Sequence, residues 1–217
     1  PSLVSLVAQG GECRRMMGLA LKNVGLTLYQ DGKSIFQEQG EALFTHFGLS
    51  GPLVLSASAH LGDLAKHKYE VGFDLKPALS HEQLYARLNR DLTALANRDA
   101  ANCLVKLLPA SMQPVMVERW GVDPAKKANQ LTKEERLALV ELMKDFRIKI
   151  RDRGDLEHAV ITSGGVTVKE VNPRTMASKK CPGLYFAGEV LDVDAYTGGY
   201  NLQIAWCTAQ AAARGLA

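Results

Sequence analysis

The sequence has few cysteines and no long apolar run, and each absence excludes a class of protein. Its four cysteines lie far apart and form no CxxC or Cys/His pattern, so we expect four free thiols and no disulfide framework or zinc site. No apolar stretch reaches the ~18 residues of a membrane helix. No basic segment precedes an apolar one at the start, as a secretory signal would require. We therefore expect a cytoplasmic protein with no metal and no membrane partner.

The sequence also has little excess charge. It carries 26 Lys or Arg and 23 Asp or Glu, and this net charge of +3 is too small to indicate a nucleic-acid partner by itself. What is abundant is apolar: 47% of the 217 residues are hydrophobic, enough to fill one good core or two smaller ones. The composition is that of a globular protein.

A GxGxxG sequence is missing as well. That glycine-rich turn holds the pyrophosphate of a dinucleotide, and an acidic residue after it binds the ribose; no acidic residue stands in that context here. Two adjacent glycines occur late in the chain instead, in TGGYNLQIAW at 197–206. They precede a segment with the composition of a helix, and their role is the main question that the sequence raises.

Most of the first 75 residues are typical of β-structure. LTLYQDGKSIFQEQ (26–39) places two strand-like runs around Asp31-Gly32, a dipeptide that accepts the positive φ angles of a tight hairpin. KYEVGFDLK (68–76) and FRIKIRD (146–152) both alternate apolar and polar residues with the period of a strand. LSGPLVLSASAHL (49–61) instead predicts a short buried helix, with Ser50 as its cap and Pro52 in its first turn.

Residues 80–145 have a helical period. One apolar stripe consists of Leu84, Leu88, Leu92 and Leu95. A second stripe lies within 131–146, where Thr132 is the expected cap and Glu135 completes a capping box.

This helical region is also basic. Between Lys76 and Arg151 it carries 14 Lys or Arg and nine Asp or Glu, a net charge of +5. No aromatic residues interleave with the basic ones, as single-strand binding favours, so solvated helix faces are the simpler interpretation. The alternative is a non-catalytic binding module whose basic helical insertion contacts RNA or a protein partner.

The C-terminal part predicts a fragment of an α/β domain. HAVITSGGVTVKEV (158–171) suggests two extended runs broken at Gly164-Gly165, and PGLYFAGEV (182–190) suggests a strand buried on both faces. The helix after Gly199 should pack closely through Ala205, Ala209 and Ala213, with Cys207 buried.

A helix start of this kind suits an electron-rich ligand. It exposes unpaired N–H groups with partial positive charge, and glycines let a ligand approach the backbone. Such a terminus suits the N1/C2 carbonyl edge of a flavin, and Glu189, at the end of the predicted strand, suits ribityl or ribose hydroxyls. The alternative is an ordinary turn followed by an ordinary loop.

Longer stretches resemble a known family. GEALFTHFGLSGP (40–52), TSGGVTVKEVNPRTMASKKCPGLYFAGEVLDVDAYTGGYNLQIAW (162–206) and the opening PSLVSL closely resemble bacterial NAD(P)/FAD-dependent oxidoreductases, the YhiN-like, BaiN-like or aminoacetone-oxidase-like flavoproteins. The resemblance is dense in the last 60 residues and thin in the helical region. One departure is Ala195, where family members often have glycine.

The resemblance implies an α+β fold. A β-rich, barrel-like domain with an inserted helical domain is joined to the C-terminal strand–loop–helix part of a discontinuous α/β FAD-binding domain. Carried onto this sequence, the β-rich domain is 1–79 with 146–158, the helical subdomain is 80–145, and the FAD-binding part is 159–217.

The resemblance also implies an activity and a site: hydride transfer between a nicotinamide or organic substrate and FAD, with NAD(P)H as co-substrate. The implied flavin contacts are Gly188, Glu189, Thr197, Gly198, Gly199, Tyr200, Asn201, Leu202 and Gln203. It names neither the catalytic residues nor the small-molecule substrate.

Because GxGxxG is missing, we expect the chain to be the C-terminal piece of a longer flavoprotein. Its partner is then the missing N-terminal half of the FAD domain, and alone it should bind FAD weakly or not at all and be inactive. We do not expect nucleic acid as a partner.

A few further polar residues have two interpretations each. His46 is either a proton donor near substrate or, more simply, a core residue between aromatic neighbours. Asp192 and Asp194 suit loop or helix capping better than acid–base catalysis. Tyr196 and Tyr200 either flank a flavin or simply pack.

Overall fold

Within residues 1–216, which the computed structural model describes, the chain forms six β-strands and six α-helices. The strands are β1 (Leu6–Ala8), β2 (Ala20–Gln30), β3 (Lys33–Phe44), β4 (Gly48–Ser50), β5 (Tyr69–Asp74) and β6 (Phe146–Arg153). The helices are α1 (Glu12–Arg15), α2 (Pro52–Ser58), α3 (His81–Ala94), α4 (Gln113–Trp120), α5 (Lys133–Lys144) and α6 (Tyr200–Leu216). Short 3-10 turns lie at Ala100–Asn102, Ala128–Gln130, Leu156–His158, Val168–Glu170 and Gly188–Val190.

The strands close into an antiparallel barrel in the order β1-β4-β3-β2-β5-β6. Strand β6 completes it, because it pairs with β5 on one side and with β1 on the other. The β2–β3 hairpin turns at Asp31 and Gly32, whose φ angles of 50° and 81° suit a tight turn. The predicted α+β fold with a barrel-like part is confirmed, and so is this hairpin.

Alternating apolar side chains fill the barrel. Phe73 of β5 and Phe146 of β6 lie opposite each other and are fully buried, as is Phe44 of β3. The rings of Phe44 and Phe73 lie 5.7 Å apart between centroids. The period-2 pattern therefore places aromatic rings inside the barrel, and the residues between them face outward.

Helix α2 begins without the predicted side-chain cap. Gly51, with a φ angle of 93°, precedes the helix, and Pro52 occupies the first turn as predicted. The prediction for Ser50 is wrong, because β4 pairs with β1 and the Ser50 hydroxyl instead accepts a hydrogen bond from the Ser5 hydroxyl at 2.8 Å.

Helices α3 to α5 lie between β5 and β6 in the chain. Of the first predicted stripe, Leu84, Leu88 and Leu92 are buried and Leu95 is half-buried. Thr132 caps α5 with Glu135 in a capping box, as predicted. The buried faces of these helices and the barrel interior form one connected hydrophobic core. The division of the chain into domains stays a prediction.

The segment after β6 has little regular structure before α6. The strand predicted at 182–190 is wrong: the structure has one isolated bridge there, Ala177 to Tyr185, and a 3-10 turn from Gly188. The extended runs predicted within 158–171 are likewise reduced to single bridges and two 3-10 turns. A strand needs continuous hydrogen-bonding neighbours, and no described residues provide them to this segment.

Helix α6 is a 17-residue helix with no fully buried residue. One face contacts a small cluster of Val171, Met176 and Leu191 through Ala211 and Ala212. Neither α6 nor any other helix within residues 1–216 is both long and apolar enough to span a bilayer.

The packed face of α6 is not the predicted one. Of the three alanines expected to form it, Ala205 is half-buried, whereas Ala209 and Ala213 are exposed. Leu202 and Trp206, exposed by 68% and 74%, continue the exposed stripe.

The four cysteines are free, and two of them are buried. Burial is the main cause that raises the pKa of Cys13 to about 12 and that of Cys103 to about 11, so both stay protonated. Cys207 is exposed, and the prediction that it is buried is wrong because it lies on the open side of α6.

Candidate functional site

The paired glycines form an open turn at the start of α6. Gly198 and Gly199 have φ angles of 113° and 90°, a region that residues with a side chain rarely adopt. A Cβ atom added at Gly199 would meet no heavy atom within 4 Å, and one at Gly198 would meet only the Tyr200 ring, at 3.3 Å. The turn therefore presents bare backbone to a space that the described residues leave free.

The first N–H groups of α6 face that space without partners. The first hydrogen bond of the helix runs from the Gln203 N–H to the Gly199 carbonyl, at 3.1 Å. Within residues 1–216, no acceptor bonds the N–H groups of Tyr200, Asn201 or Leu202. Such N–H groups and the helix dipole attract an anion or a polarised carbonyl.

Asn201 holds the approach to the turn in place. Its side-chain amide accepts from the Ala195 N–H at 2.8 Å and donates to the Ala195 carbonyl at 2.7 Å. Ala195 itself has no positive φ angle, so alanine causes no strain where relatives in the resembling family often have glycine. One side chain therefore closes the loop from 195 to 201.

Gly188 and Glu189 lie beside the same helix. The Gly188 N–H donates to the Thr208 hydroxyl at 2.9 Å, and a Cβ added at Gly188 would lie 3.8 Å from that of Ala205. Glu189 is exposed, and its carboxylate has no hydrogen-bond partner within the described residues. Helix α6 thus joins this pair to the glycine turn.

The loop before the turn also contacts α2 and the segment that follows it. Thr197 Oγ1 lies 3.5 Å from Ser56 Oγ, and the Tyr196 hydroxyl lies 2.6 Å from His60 Nε2. The His60 ring stacks on Phe36 of β3, with 4.7 Å between centroids. Nothing in the sequence marked His60, because its partner Tyr196 is 136 residues away.

The implied contact residues differ in exposure. Thr197 and Asn201 are half-buried, whereas Tyr200, Leu202 and Gln203 are exposed. Gln203 Nε2 donates to Cys207 Sγ at 3.1 Å. The structure therefore brings these residues together around the first turn of α6, with Tyr200 and Leu202 open to a partner. Their assignment as flavin contacts stays a prediction.

The other polar candidates lie apart from one another. Asp194 accepts from the Ser2 and Ser163 hydroxyls at 3.3 and 3.5 Å, a loop-binding role, while the Asp192 side chain has no hydrogen-bond partner in the described chain. His46 is exposed, so its interpretation as a core residue is wrong. Across 1–216, His, Cys, Asp and Glu form no group of three that would hold a metal.

Comparison with known proteins identifies the fold. Residues 1–161 match the family model described as HI0933-like protein barrel and H2TH domain. The match covers the whole barrel and the helical region within it, and it ends before the glycine turn.

Three relatives extend the similarity into the C-terminal part. The chain is 34% identical over 207 residues to the Ribosomal RNA dihydrouridine synthase of Escherichia coli, covering 94% of this chain and 48% of the relative. It is 34% identical over 182 residues to the protein of the same name in Haemophilus influenzae, covering 84% and 43%. It is 31% identical over 192 residues to the 3-dehydro-bile acid delta(4,6)-reductase of Clostridium scindens, covering 86% and 46%. The chain spans about half the length of these curated relatives.

Proposed function

The chain belongs to the HI0933-like family of barrel and H2TH-domain proteins, and from this premise we propose that it supplies the flavin-facing part of a flavin-dependent oxidoreductase. The observation that carries the proposal is the open turn at Gly198-Gly199, with three unpartnered N–H groups behind it. Bare backbone and a helix N-terminus together suit the electron-rich edge of a planar ring.

The residues of the turn fit such a ring. In the proposal, the backbone N–H groups of residues 200–202 donate to the carbonyl edge of the flavin ring. The exposed Glu189 carboxylate accepts hydrogen bonds from the hydroxyl groups of the flavin's ribityl chain. The Asn201 clamp keeps the loop in one conformation, so the donors need no rearrangement when charge develops beside them. When bound, FAD would supply the hydride-transfer chemistry, with NAD(P)H as electron source.

The exposed face of α6 supports the proposal that this sequence supplies only part of the flavin site. Its exposed stripe of Leu202, Trp206, Ala209 and Ala213 has the spacing of a packing face. The relatives are about twice as long as this chain, and the chain has no GxGxxG. We infer that the stripe packs against the nucleotide-binding half of an FAD domain, which would also bind the pyrophosphate.

The substrate class comes from the relatives. Two are named for dihydrouridine in ribosomal RNA and one for reducing a bile acid, and each name denotes adding hydrogen across a carbon–carbon double bond. We propose that this chain takes part in the same reaction class, and that a uridine in RNA is the first substrate to test. A bile-acid-like molecule is the second candidate. The alternative, a non-catalytic binding module whose basic helical insertion contacts RNA or a protein partner, does not account for the glycine turn.

Adding hydrogen across a double bond consumes a proton as well as a hydride. Tyr196, directly before the turn, is the proton donor that we propose, because its hydroxyl lies 2.6 Å from His60 Nε2 and the His60 side chain is exposed to solvent. Tyr200 is a matched control: it lies on the other side of the turn, is 63% exposed and has no hydrogen-bonded hydroxyl within the described residues.

The test uses a hybrid in which this chain replaces the matching 48% of the E. coli relative. Under anaerobic conditions, NADH or NADPH should bleach its flavin, and uridine-containing ribosomal RNA should restore the colour. Tyr196→Phe should slow this reoxidation by about a hundredfold, the low end of what a general acid contributes, and Tyr200→Phe should not. Equal rates in both variants would remove Tyr196 from the proposal, and a folded hybrid that neither nicotinamide reduces would contradict the oxidoreductase.

A further inference from the structure

The outer face of β6 is a row of positive charge. Phe146, Ile148 and Ile150 point into the barrel and are buried. The residues that alternate with them and face outward are Arg147, Lys149 and Arg151. A bulge follows Ile150 and places Arg153 opposite the buried Leu6, so Arg153 does not continue the row. Successive outward side chains on a strand lie about 6.7 Å apart, so the row runs for most of the length of β6.

One member of this row, Arg147, and the neighbouring Arg153 are already engaged. Arg147 binds Asp145 at 2.7 Å and Glu70 at 3.2 Å, and its guanidinium lies 4.0 Å above the Tyr29 ring. The Arg153 guanidinium donates to the carbonyls of residues 61 and 62.

Lys149 and Arg151 are free. Both are exposed, and neither side chain makes an ion pair or hydrogen bond within residues 1–216. Glu70 lies opposite Lys149 in the strand register, but its carboxylate binds Arg147 instead. Their charge therefore remains available to a partner.

Arg151 also lines a cleft on the outside of the barrel. The cleft has a volume of about 490 Å³, and its other lining residues are Ser5, Val7, His46, Phe47, Gly154, Asp155 and His158. Phe47 is 37% exposed and the His46 ring stands edge-on to it, 5.0 Å between centroids. An exposed aromatic ring, two exposed histidines and an arginine thus meet in one cleft that has a single carboxylate.

The helical region offers no comparable surface, because residues 80–145 carry ten Lys or Arg and nine Asp or Glu, a net charge of only +1. Five of its ten cations are paired with acids: Arg87 with Asp91, Arg119 with Glu12, Lys126 with Glu135, Lys127 with Asp99, and Lys144 with Asp74. Exposed and unpaired lysines there, such as Lys106 and Lys133, lie on different segments without an aromatic neighbour in a cleft.

We propose that the outer face of β6 and the adjoining cleft bind a single-stranded segment of RNA. Lys149 and Arg151 contact successive phosphates, and Phe47 stacks on an unpaired base in the cleft. A base is available for stacking only in a single strand, and an aromatic ring beside spaced cations is the usual way that proteins hold one. The inference rests on the proposed function, because it says where the RNA substrate proposed there binds. It differs from the sequence-based alternative, which placed RNA on the helical region, and from the expectation that nucleic acid is not a partner.

The test measures fluorescence anisotropy of a labelled 12-nucleotide oligouridine with the 217-residue chain, across a salt series. The double variant Lys149→Gln/Arg151→Gln should bind about tenfold more weakly, and its log–log salt slope should be shallower by about 1.4, the value for two phosphates of a single strand. Phe47→Leu, which keeps the side chain apolar, should weaken binding about tenfold with an unchanged slope. The control Lys106→Gln/Lys133→Gln removes the same charge from the helical region and should leave both values unchanged.

Several results would overturn the proposal. One is no binding by the unmodified chain at about 50 mM salt, where phosphate contacts are strong. A second is an equal or larger loss in the Lys106/Lys133 variant, which would return the interface to the helical region. A third is a Phe47→Leu chain that binds RNA normally but loses affinity for cholate, a carboxylate-bearing steroid. The anisotropy assay contains no flavin, so a failure to bind RNA would not contradict the flavin proposal. Loss of flavin from the hybrid would likewise not contradict the RNA-binding proposal.

Discussion

Replacing Gly48 with alanine is expected to destabilise the chain by about 3 kcal/mol or more, the upper range for overpacking. Gly48 lies in β4 opposite Val7 of β1, where the barrel closes. A Cβ atom at Gly48 would collide with the Leu6 carbonyl oxygen and lie 2.6 Å from the Ala8 nitrogen. Both atoms are backbone, so relief requires β1 and β4 to separate.

Gly40→Ala is the matched control in the same barrel. Gly40 lies in β3 without a positive φ angle, and its added Cβ would meet Leu53 at an ordinary 3.6 Å. Alanine there should be neutral or stabilising by about 0.5 kcal/mol, because glycine is unfavourable within a strand. In urea unfolding followed by circular dichroism, a Gly48→Ala midpoint equal to that of Gly40→Ala would contradict the β1–β4 closure.

Free FAD is expected to bind the 217-residue chain with a dissociation constant weaker than about 10 µM. The flavin-end contacts are a handful of hydrogen bonds worth about 1 kcal/mol each, whereas immobilising a ligand costs about 4 to 15 kcal/mol. The chain has no GxGxxG turn to add pyrophosphate contacts.

Riboflavin is the matched ligand, because it lacks the pyrophosphate and adenosine. Titrations followed by flavin fluorescence should give FAD and riboflavin affinities within about threefold of each other if only the flavin end is held. Micromolar or tighter FAD binding, or a clear preference for FAD over riboflavin, would mean that residues 1–217 contain the pyrophosphate site after all.

Sequence periodicity correctly predicted the strands that pair with other strands of this chain. The alternation at 68–76 and 146–152 predicted β5 and β6 because one face of each strand lies in the barrel core. The same reasoning failed at 182–190. Apolar residues there also indicated burial, but a strand forms only where others pair with it, and the described residues supply one bridge.

The site was predictable in part for the same reason. Adjacent glycines and a following helix are local features, so the open turn at Gly198-Gly199 could be anticipated. The Tyr196–His60 pair could not, because it joins residues 136 positions apart. The cations of β6 were visible as the polar half of an alternating strand, but their significance depends on which have acidic partners, and only the folded chain decides that.

The most direct test of the flavin-facing turn is the flavin content of the hybrid with the E. coli relative, compared between Gly199→Ala and Gly183→Ala. Both glycines have positive φ angles, 90° and 81°, and neither has a heavy atom within 4 Å of an added Cβ, so alanine meets a similar φ strain and no clash at either position. Only the methyl group at 199 would enter the space proposed for the ring. We predict that the unmodified hybrid and Gly183→Ala purify with stoichiometric flavin, and that Gly199→Ala retains roughly a tenth or less. Equal flavin content in the two folded variants would contradict the account.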